Sequence, residues 1–283
     1  MSNTILITGA SGTIGRELTT VLKARHVQLV IGSSSGKTVA GLETRRTDFS
    51  DPDGLIQAFQ GIDTLFLLLP LQSNMLELAR NAVTAAKAAG VRHIVRSSGA
   101  GADPSSPFAI AKVQGEIDQL VINSGIAYTL TRPNNFMQNY VNFYGGMLRS
   151  GALYLAQGDG AISLIDARDI AAANAAILLD PASHAGKHYT LTGAQALTNT
   201  EVAAQVGAAT GKSIQYVAVS DNAAESAMRD IGMDTWSIEI MTSLNQIITA
   251  GYAAAVSDDL SRLIQQPARS FQAFVSEHTA VWQ

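Results

Sequence analysis

Three clusters in this 283-residue chain carry residue types and spacings that could do chemistry. The first is the run Gly9-Ala10-Ser11-Gly12-Thr13-Ile14-Gly15, a G-x-x-G-x-x-G triplet. Gly9 would permit a tight turn, Gly12 would let backbone approach a pyrophosphate, and Gly15 would let a helix lie close on a sheet. The N–H groups around Ser11, Thr13 and Ile14 would then face phosphates at a helix N-terminus. The second is Gly32-Ser33-Ser34-Ser35-Gly36-Lys37, hydroxyls and a cation with no carboxylate. An acid at that place would grip the ribose hydroxyls of NAD and repel the extra phosphate of NADP, so its absence favours NADP over NAD. The third is Ser97-Ser98, followed by Phe108-Ala109-Ile110-Ala111-Lys112.

Smaller features join these. Asp48 could accept from an adenine amino group and Phe49 could cover the ring, although Ser50-Asp51-Pro52 also reads as a helix start. Leu69-Pro70 closes an apolar run, and Asn135, Phe136 and Met137 could line a substrate pocket. The five residues Gly32 to Gly36 match G-x-S-x-G, but no apolar helix follows, so Ser34 lacks the setting of a hydrolase nucleophile. His26, His93, His184, His188 and His278 show no ligand spacing, and no metal is expected.

The elements that must position these residues follow from periodicity. Ile5-Leu6-Ile7 reads as a buried strand before the glycine turn, and Ile14, Leu18, Val21 and Leu22 as the apolar stripe of a helix. Further strands are expected at Val27 to Ile31, Glu43 to Thr47, Ile62 to Leu69, Val91 to Arg96 and Ile126 to Thr131. Helices are expected between them at Asn74 to Ala89 and Pro107 to Asn123. The alternation predicts an α/β fold, a doubly wound parallel Rossmann sheet with ligands outside the carboxyl ends of its strands. After Arg132-Pro133-Asn134-Asn135 the rhythm changes. Short strands at Ile162 to Ile165 and His188 to Leu191 flank a helix at Ala167 to Leu179. Helical patterns dominate from Thr198, broken by a strand at Ile214 to Val217. The expected division is a dinucleotide-binding domain over 1–155 and a smaller, mostly helical substrate-binding lobe over 156–283, with 162–192 returning in part to the main sheet.

Composition bounds the function. With 47% apolar and 15% charged residues, the chain is globular rather than disordered. A net charge of −4 without a basic stripe argues against nucleic acid as a partner. The absence of cysteine excludes disulfide and thiolate chemistry. No apolar run approaches the ~20 residues of a membrane span, and no signal-peptide pattern opens the chain. A cytoplasmic protein is expected, with an oligomer left open.

The glycine triplet, the serines after the fifth strand and Lys112 on the next helix resemble the short-chain dehydrogenases/reductases. In that family a Ser and a Tyr assist hydride transfer to a carbonyl. A Lys four residues after the Tyr lowers its pKa and holds the nicotinamide ribose. Here Phe108 stands at the Tyr position and Lys112 is kept. Other segments resemble an atypical branch, the NmrA-like family with its NAD(P)H:quinone reductase and dye-reductase members. These are Arg132-Pro133-Asn134-Asn135-Phe136-Met137-Gln138-Asn139, Asp166-Ala167-Arg168-Asp169-Ile170-Ala171, Tyr189-Thr190-Leu191-Thr192-Gly193 and Gln266-Pro267-Ala268-Arg269-Ser270-Phe271. Members commonly carry an Arg after the second strand for the NADP phosphate, where this chain has serines. The resemblance implies an NAD(P)H-dependent oxidoreductase with Lys112 and Ser98 as catalytic residues, Ser97 and Asn135 beside the cofactor, and Phe108, Phe136 and Met137 toward the substrate. A quinone-like or other conjugated aromatic acceptor suits the missing phenol, because its product charge is delocalised and needs no positioned acid. Ser97 and Ser98 are not distinguished. The alternative is an NADP(H)-sensing regulator that acts through a protein partner without turnover.

Overall fold

A computed structural model describes residues 3–38 and 41–283. Its first half alternates strand and helix. In order these are β1 (Thr4–Ile7), α1 (Thr13–Lys23), β2 (Gln28–Ser33), β3 (Glu43–Arg46), α2 (Pro52–Phe59), β4 (Thr64–Leu67), α3 (Met75–Ala88), β5 (His93–Ser97), α4 (Ala109–Ile122) and β6 (Ala127–Pro133). All residues of β1, β4 and β5 are buried, as expected of parallel strands covered on both faces. The α1 stripe of Ile14, Leu18 and Leu22 is buried too. Asp51 caps α2 by accepting from the Gly54 N–H at 3.0 Å, and Pro52 occupies the first turn.

Beyond β6 come α5 (Asn139–Asn142), α6 (Gly145–Arg149), β7 (Ala152–Leu155), β8 (Ala161–Ile162), α7 (Ala167–Leu179), β9 (Lys187–Leu191), β10 (Leu197–Thr198), α8 (Asn199–Thr210) and β11 (Gln215–Ala218). Four helices end the chain: α9 (Asp221–Asp230), α10 (Thr235–Thr249), α11 (Asp259–Ile264) and α12 (Phe271–Trp282). The main sheet has seven strands in the order β3-β2-β1-β4-β5-β6-β9. At the β6–β9 edge, Gly186 N donates to Tyr128 O and Asn134 N to Leu191 O, so β9 also runs parallel. Strand order reverses between β1 and β4, which makes the carboxyl ends around them the switch point. Thr8 ties the two strands together there, its hydroxyl oxygen accepting from Leu68 N at 2.9 Å.

Contacts divide the chain into two compact units. The first holds residues up to Ser105, Ala111–Arg132 and Ile170–Tyr189; the second holds Ser106–Ile110, Pro133–Asp169 and Thr190–Gln283. The chain passes between the units several times. Most of α7 and the start of β9 go with the sheet unit.

Three local expectations change. Phe108 immediately precedes α4 rather than lying in it. The strand expected at Ile162 to Ile165 shrinks to β8 plus an isolated Phe136–Ile165 bridge. The stretch from the change of rhythm after Asn135 to Gly160, to which the sequence assigns no element, contains α5, α6 and β7, and β7 pairs in parallel with β11. Four alternating residues with no local partner carry too weak a period to be separated from a turn, and only the distant pairing makes β7 a strand.

The second unit has its own core, including Met137, Tyr140, Leu153, Val206, Phe274 and Trp282. Charged clasps close it. Buried Asp166 accepts from Arg168 and from Gln138 Nε2 at 3.0 Å, and Asp169 takes the Arg269 guanidinium and the Arg269 N–H. Burial pushes the Asp169 carboxyl up from its ordinary pKa, against the pull of Arg269. The motif residues of three distant segments thus meet as structural ties.

Candidate active site

The glycine loop opens at the carboxyl end of β1. Gly9 has φ +67°, a left-handed conformation that side chains disfavour, and its carbonyl accepts from Gly12 N at 3.0 Å. Gly15 is constrained by space: a Cβ there would sit 2.2 Å from Gly9 O and 2.6 Å from Ala10 Cα. Gly12 differs from both. Its φ of −79° is ordinary, and a Cβ would come no nearer than 3.3 Å to Gly9 O. Gly12 is the N-cap of α1 and supplies no side-chain cap, so the first-turn N–H groups of Thr13, Ile14 and Gly15 have no helical partner. Free donors on a positive helix end suit an anion.

A groove of about 540 Å³ runs past this loop, lined by Gly9, Ser11, Gly12, Ser33, Ser34, Thr47, Asp48, Phe49, Leu69 and Pro70 among others. Nine residues singled out in the sequence therefore converge on one cavity. Thr13 and Ile14 start α1 beside it, with Ile14 buried and only its backbone available. Lys37 is exposed and outside the groove lining. Phe49 is held through its carbonyl, which accepts from Asn81 Nδ2 at 3.0 Å. Asp48 is already engaged: Oδ1 accepts from Ser50 N and Ser50 Oγ, and Oδ2 from Arg46 at 3.1 Å. The Ser50 bonds and then Arg46 hold its pKa below the usual carboxylate value. Its part as an N-terminal turn residue is thus filled, and fewer lone pairs remain for a base.

At the end of β5, Ser97 is buried and the following Ser98 N–H donates to Thr131 O at 2.7 Å. The hydroxyl oxygens of both serines are buried without a hydrogen-bond partner. Buried polar atoms are rarely left so, and these two have bonding capacity to give a ligand. Lys112, on the first turn of α4, is exposed and makes no hydrogen bond or ion pair among the described residues. No group of three or more acidic, His or Cys side chains among the described residues could hold a metal ion. No helix among them is long and apolar enough to cross a membrane.

The NmrA-like family matches residues 1–272. The chain belongs to that family. It is 36% identical to an NAD(P)H azoreductase of Xenophilus azovorans, covering 98% of this chain and 99% of the relative. Among solved structures, the NADPH-dependent quinone oxidoreductase of Escherichia coli complexed with NADPH superimposes with a TM-score of 0.87 at 30% identity, over 96% of this chain and 99% of that one. The triphenylmethane reductase of a Citrobacter species complexed with NADP(H) gives a TM-score of 0.86 at 25% identity, over 98% and 99%.

In the second unit of this NmrA-like chain, Asn135 and Phe136 are half-buried, while Met137 is only 2% exposed and belongs to the core. Met137 packs in the core of that unit. Asn134 is the better-anchored amide: its Nδ2 donates to Ser163 Oγ at 2.6 Å and Ala253 O at 2.8 Å, and its Oδ1 accepts from Asn135 N.

No motif in the linear sequence marks Arg46. In the β2–β3 register Arg46 stands opposite Ser33, and a Cβ on Gly36 would lie 3.6 Å from Arg46 Cβ. An NmrA-like Arg after the second strand is missing here; Arg46 on the neighbouring strand comes beside the same loop through its Cβ, and its guanidinium bonds Asp48. It lines an adjoining groove of about 360 Å³ that shares Asp48 with the larger one. The signal was cross-strand pairing, which a linear scan does not display.

Proposed function

We propose that this chain is an NAD(P)H-dependent oxidoreductase that prefers NADP(H) and passes a hydride to a quinone-like or other conjugated small-molecule acceptor. The groove at the β1–β4 switch point carries the reading. It combines uncapped helix N–H groups, a glycine that leaves backbone open, and a carboxylate-free end of β2. Relatives named as azo, quinone and triphenylmethane reductases support it.

The first-turn N–H groups of α1 would hold the pyrophosphate. Ser33, Ser34, Lys37 and Arg46 would hold a 2′-phosphate, and Phe49, Leu69 and Pro70 would cover the adenosine end. A bound nicotinamide supplies the hydride. Lys112 would hold its ribose, and Ser97 or Ser98 would orient the ring or pass a proton through a hydroxyl that now has no partner. The chain lacks the phenol that reduction of a simple ketone requires, since Phe108 replaces it. A conjugated acceptor spreads the incoming charge, so orientation and exclusion of water suffice. Asn135 and Phe136 are assigned to the acceptor side, together with Phe108.

The test is steady-state oxidation of NADPH and NADH with a panel of quinones, azo dyes and simple ketones. Turnover with the conjugated acceptors, a higher kcat/KM for NADPH and no ketone reduction are expected. Tight NADPH binding with no acceptor turned over would refute the reading and favour a nucleotide sensor.

A further inference from the structure

We propose that Phe108 and Tyr252 form an aromatic platform on which a flat conjugated acceptor stacks, with the Tyr252 ring setting acceptor affinity. The two rings meet in an edge arrangement, centroids 5.9 Å apart and planes at 64°. Tyr252 is nevertheless 70% exposed, far more than an aromatic side chain serving a core.

The backbone around this exposed ring is fixed on both sides. Gly251, at φ +81°, ends α10 with a paired stop: its N–H donates to Ile248 O, and the Tyr252 N–H donates to Ile247 O. In such helix stops the residue after the glycine commonly packs back on the last turn as a hydrophobic clasp. Here Ile247 packs against the core while Tyr252 stays outside. On the other side Ala253 is buried, and its carbonyl accepts from Asn134 Nδ2 at 2.8 Å and Ser163 N at 3.0 Å. The Ala255 carbonyl accepts from Ser163 Oγ at 2.8 Å. The chain just after Phe108 is tied to the same helix: the Ile110 N–H donates to Ser243 Oγ at 3.1 Å, and Ser243 is buried on α10.

Two rings on backbone anchored to α10, one braced by the other, lose little ordering entropy on binding a guest. The guest class follows from the rings. An outward aromatic face next to a second ring, with no charged partner in the pair, suits an extended π-system better than a compact polar ketone. The platform takes its ligand class from the reductase reading above.

The experiment measures binding of the azo dye methyl red by absorbance titration without nucleotide, and the KM for menadione with NADPH. Tyr252→Ala should weaken methyl red binding and raise the menadione KM, each about threefold to tenfold, with NADPH affinity within about twofold of wild type. Tyr252→Phe, which keeps the ring, should restore what Tyr252→Ala loses. Because Tyr252 is largely exposed, the variants should fold, and thermal midpoints check this. The platform is overturned if wild type binds no methyl red, if Tyr252→Ala binds it unchanged, if Tyr252→Phe fails as badly as Tyr252→Ala, or if NADPH affinity falls in step. Dye binding that depends on the Tyr252 ring in a protein that oxidises no NADPH would refute the reductase reading and uphold the platform.

Discussion

Arg46→Ala offers the sharpest test of how this chain chooses its nucleotide. Arg46 ends β3 opposite Ser33, and its side chain is 67% exposed. A charge-assisted hydrogen bond contributes ~1.5–3 kcal/mol when well formed. Solvent screening at so exposed a guanidinium places it at the lower end, and the bond to Asp48 competes for the same group. A net loss of ~1–2 kcal/mol follows, or roughly 5- to 30-fold weaker NADPH binding. NADH has no 2′-phosphate and should bind Arg46→Ala within about twofold of wild type. Titrating both nucleotides by nicotinamide fluorescence reads the difference directly. Raising the salt should compress it, because exposed charges are screened over about 10 Å at 0.1 M. Lys37→Ala in parallel shows whether the lysine shares the load. Equal losses for the two nucleotides would mean that Arg46 only shapes the loop. An unchanged NADPH affinity would mean that the serines and Lys37 meet the phosphate alone.

Gly12→Val should fold yet lose nucleotide binding, since its backbone is ordinary and the added methyls occupy open groove; Gly15→Val should fail to fold, because its Cβ would lie 2.2 Å from Gly9 O. Thermal midpoints and NADPH titration separate the two, and a folded Gly12→Val with normal affinity would defeat the assignment. Lys112→Ala should weaken NADPH binding and turnover together; a fall in turnover alone would make Lys112 a direct catalyst. His93 is buried, its Nε2 2.9 Å from Thr129 Oγ1, and burial, aided by His184, lowers its pKa from 6.5 to about 4. Its neutral form is favoured in the fold, so its contribution is complete above pH 6.5 and is lost as pH falls toward 4, by ~1.4 kcal/mol per unit at most. Urea midpoints across that window should decline, and His93→Gln should flatten the decline; parallel slopes would remove His93 as the cause.

Much of this was legible in the linear chain because its signals are local. Gly9, Gly12 and Gly15 lie within one turn, and the buried strands are short apolar runs bounded by Gly, Pro or Ser. Sequence spacing alone therefore announces the doubly wound sheet, the glycine loop and the candidate residues at the ends of β2 and β5. The helix at Ala167–Leu179 is found where expected because its pattern extends over thirteen residues. Other features depend on contacts between distant segments. Arg46 joins the Ser33 loop only through strand pairing, and Met137 is core only because α8, α10 and α12 supply partners. Phe108 falls just outside α4, and its ring meets Tyr252, distant in sequence. Periodicity records what a residue does to its neighbours along the chain. The burial of Met137, the idle hydroxyls of Ser97 and Ser98 and the exposure of Tyr252 depend on which distant atoms arrive, and only the tertiary structure decides that.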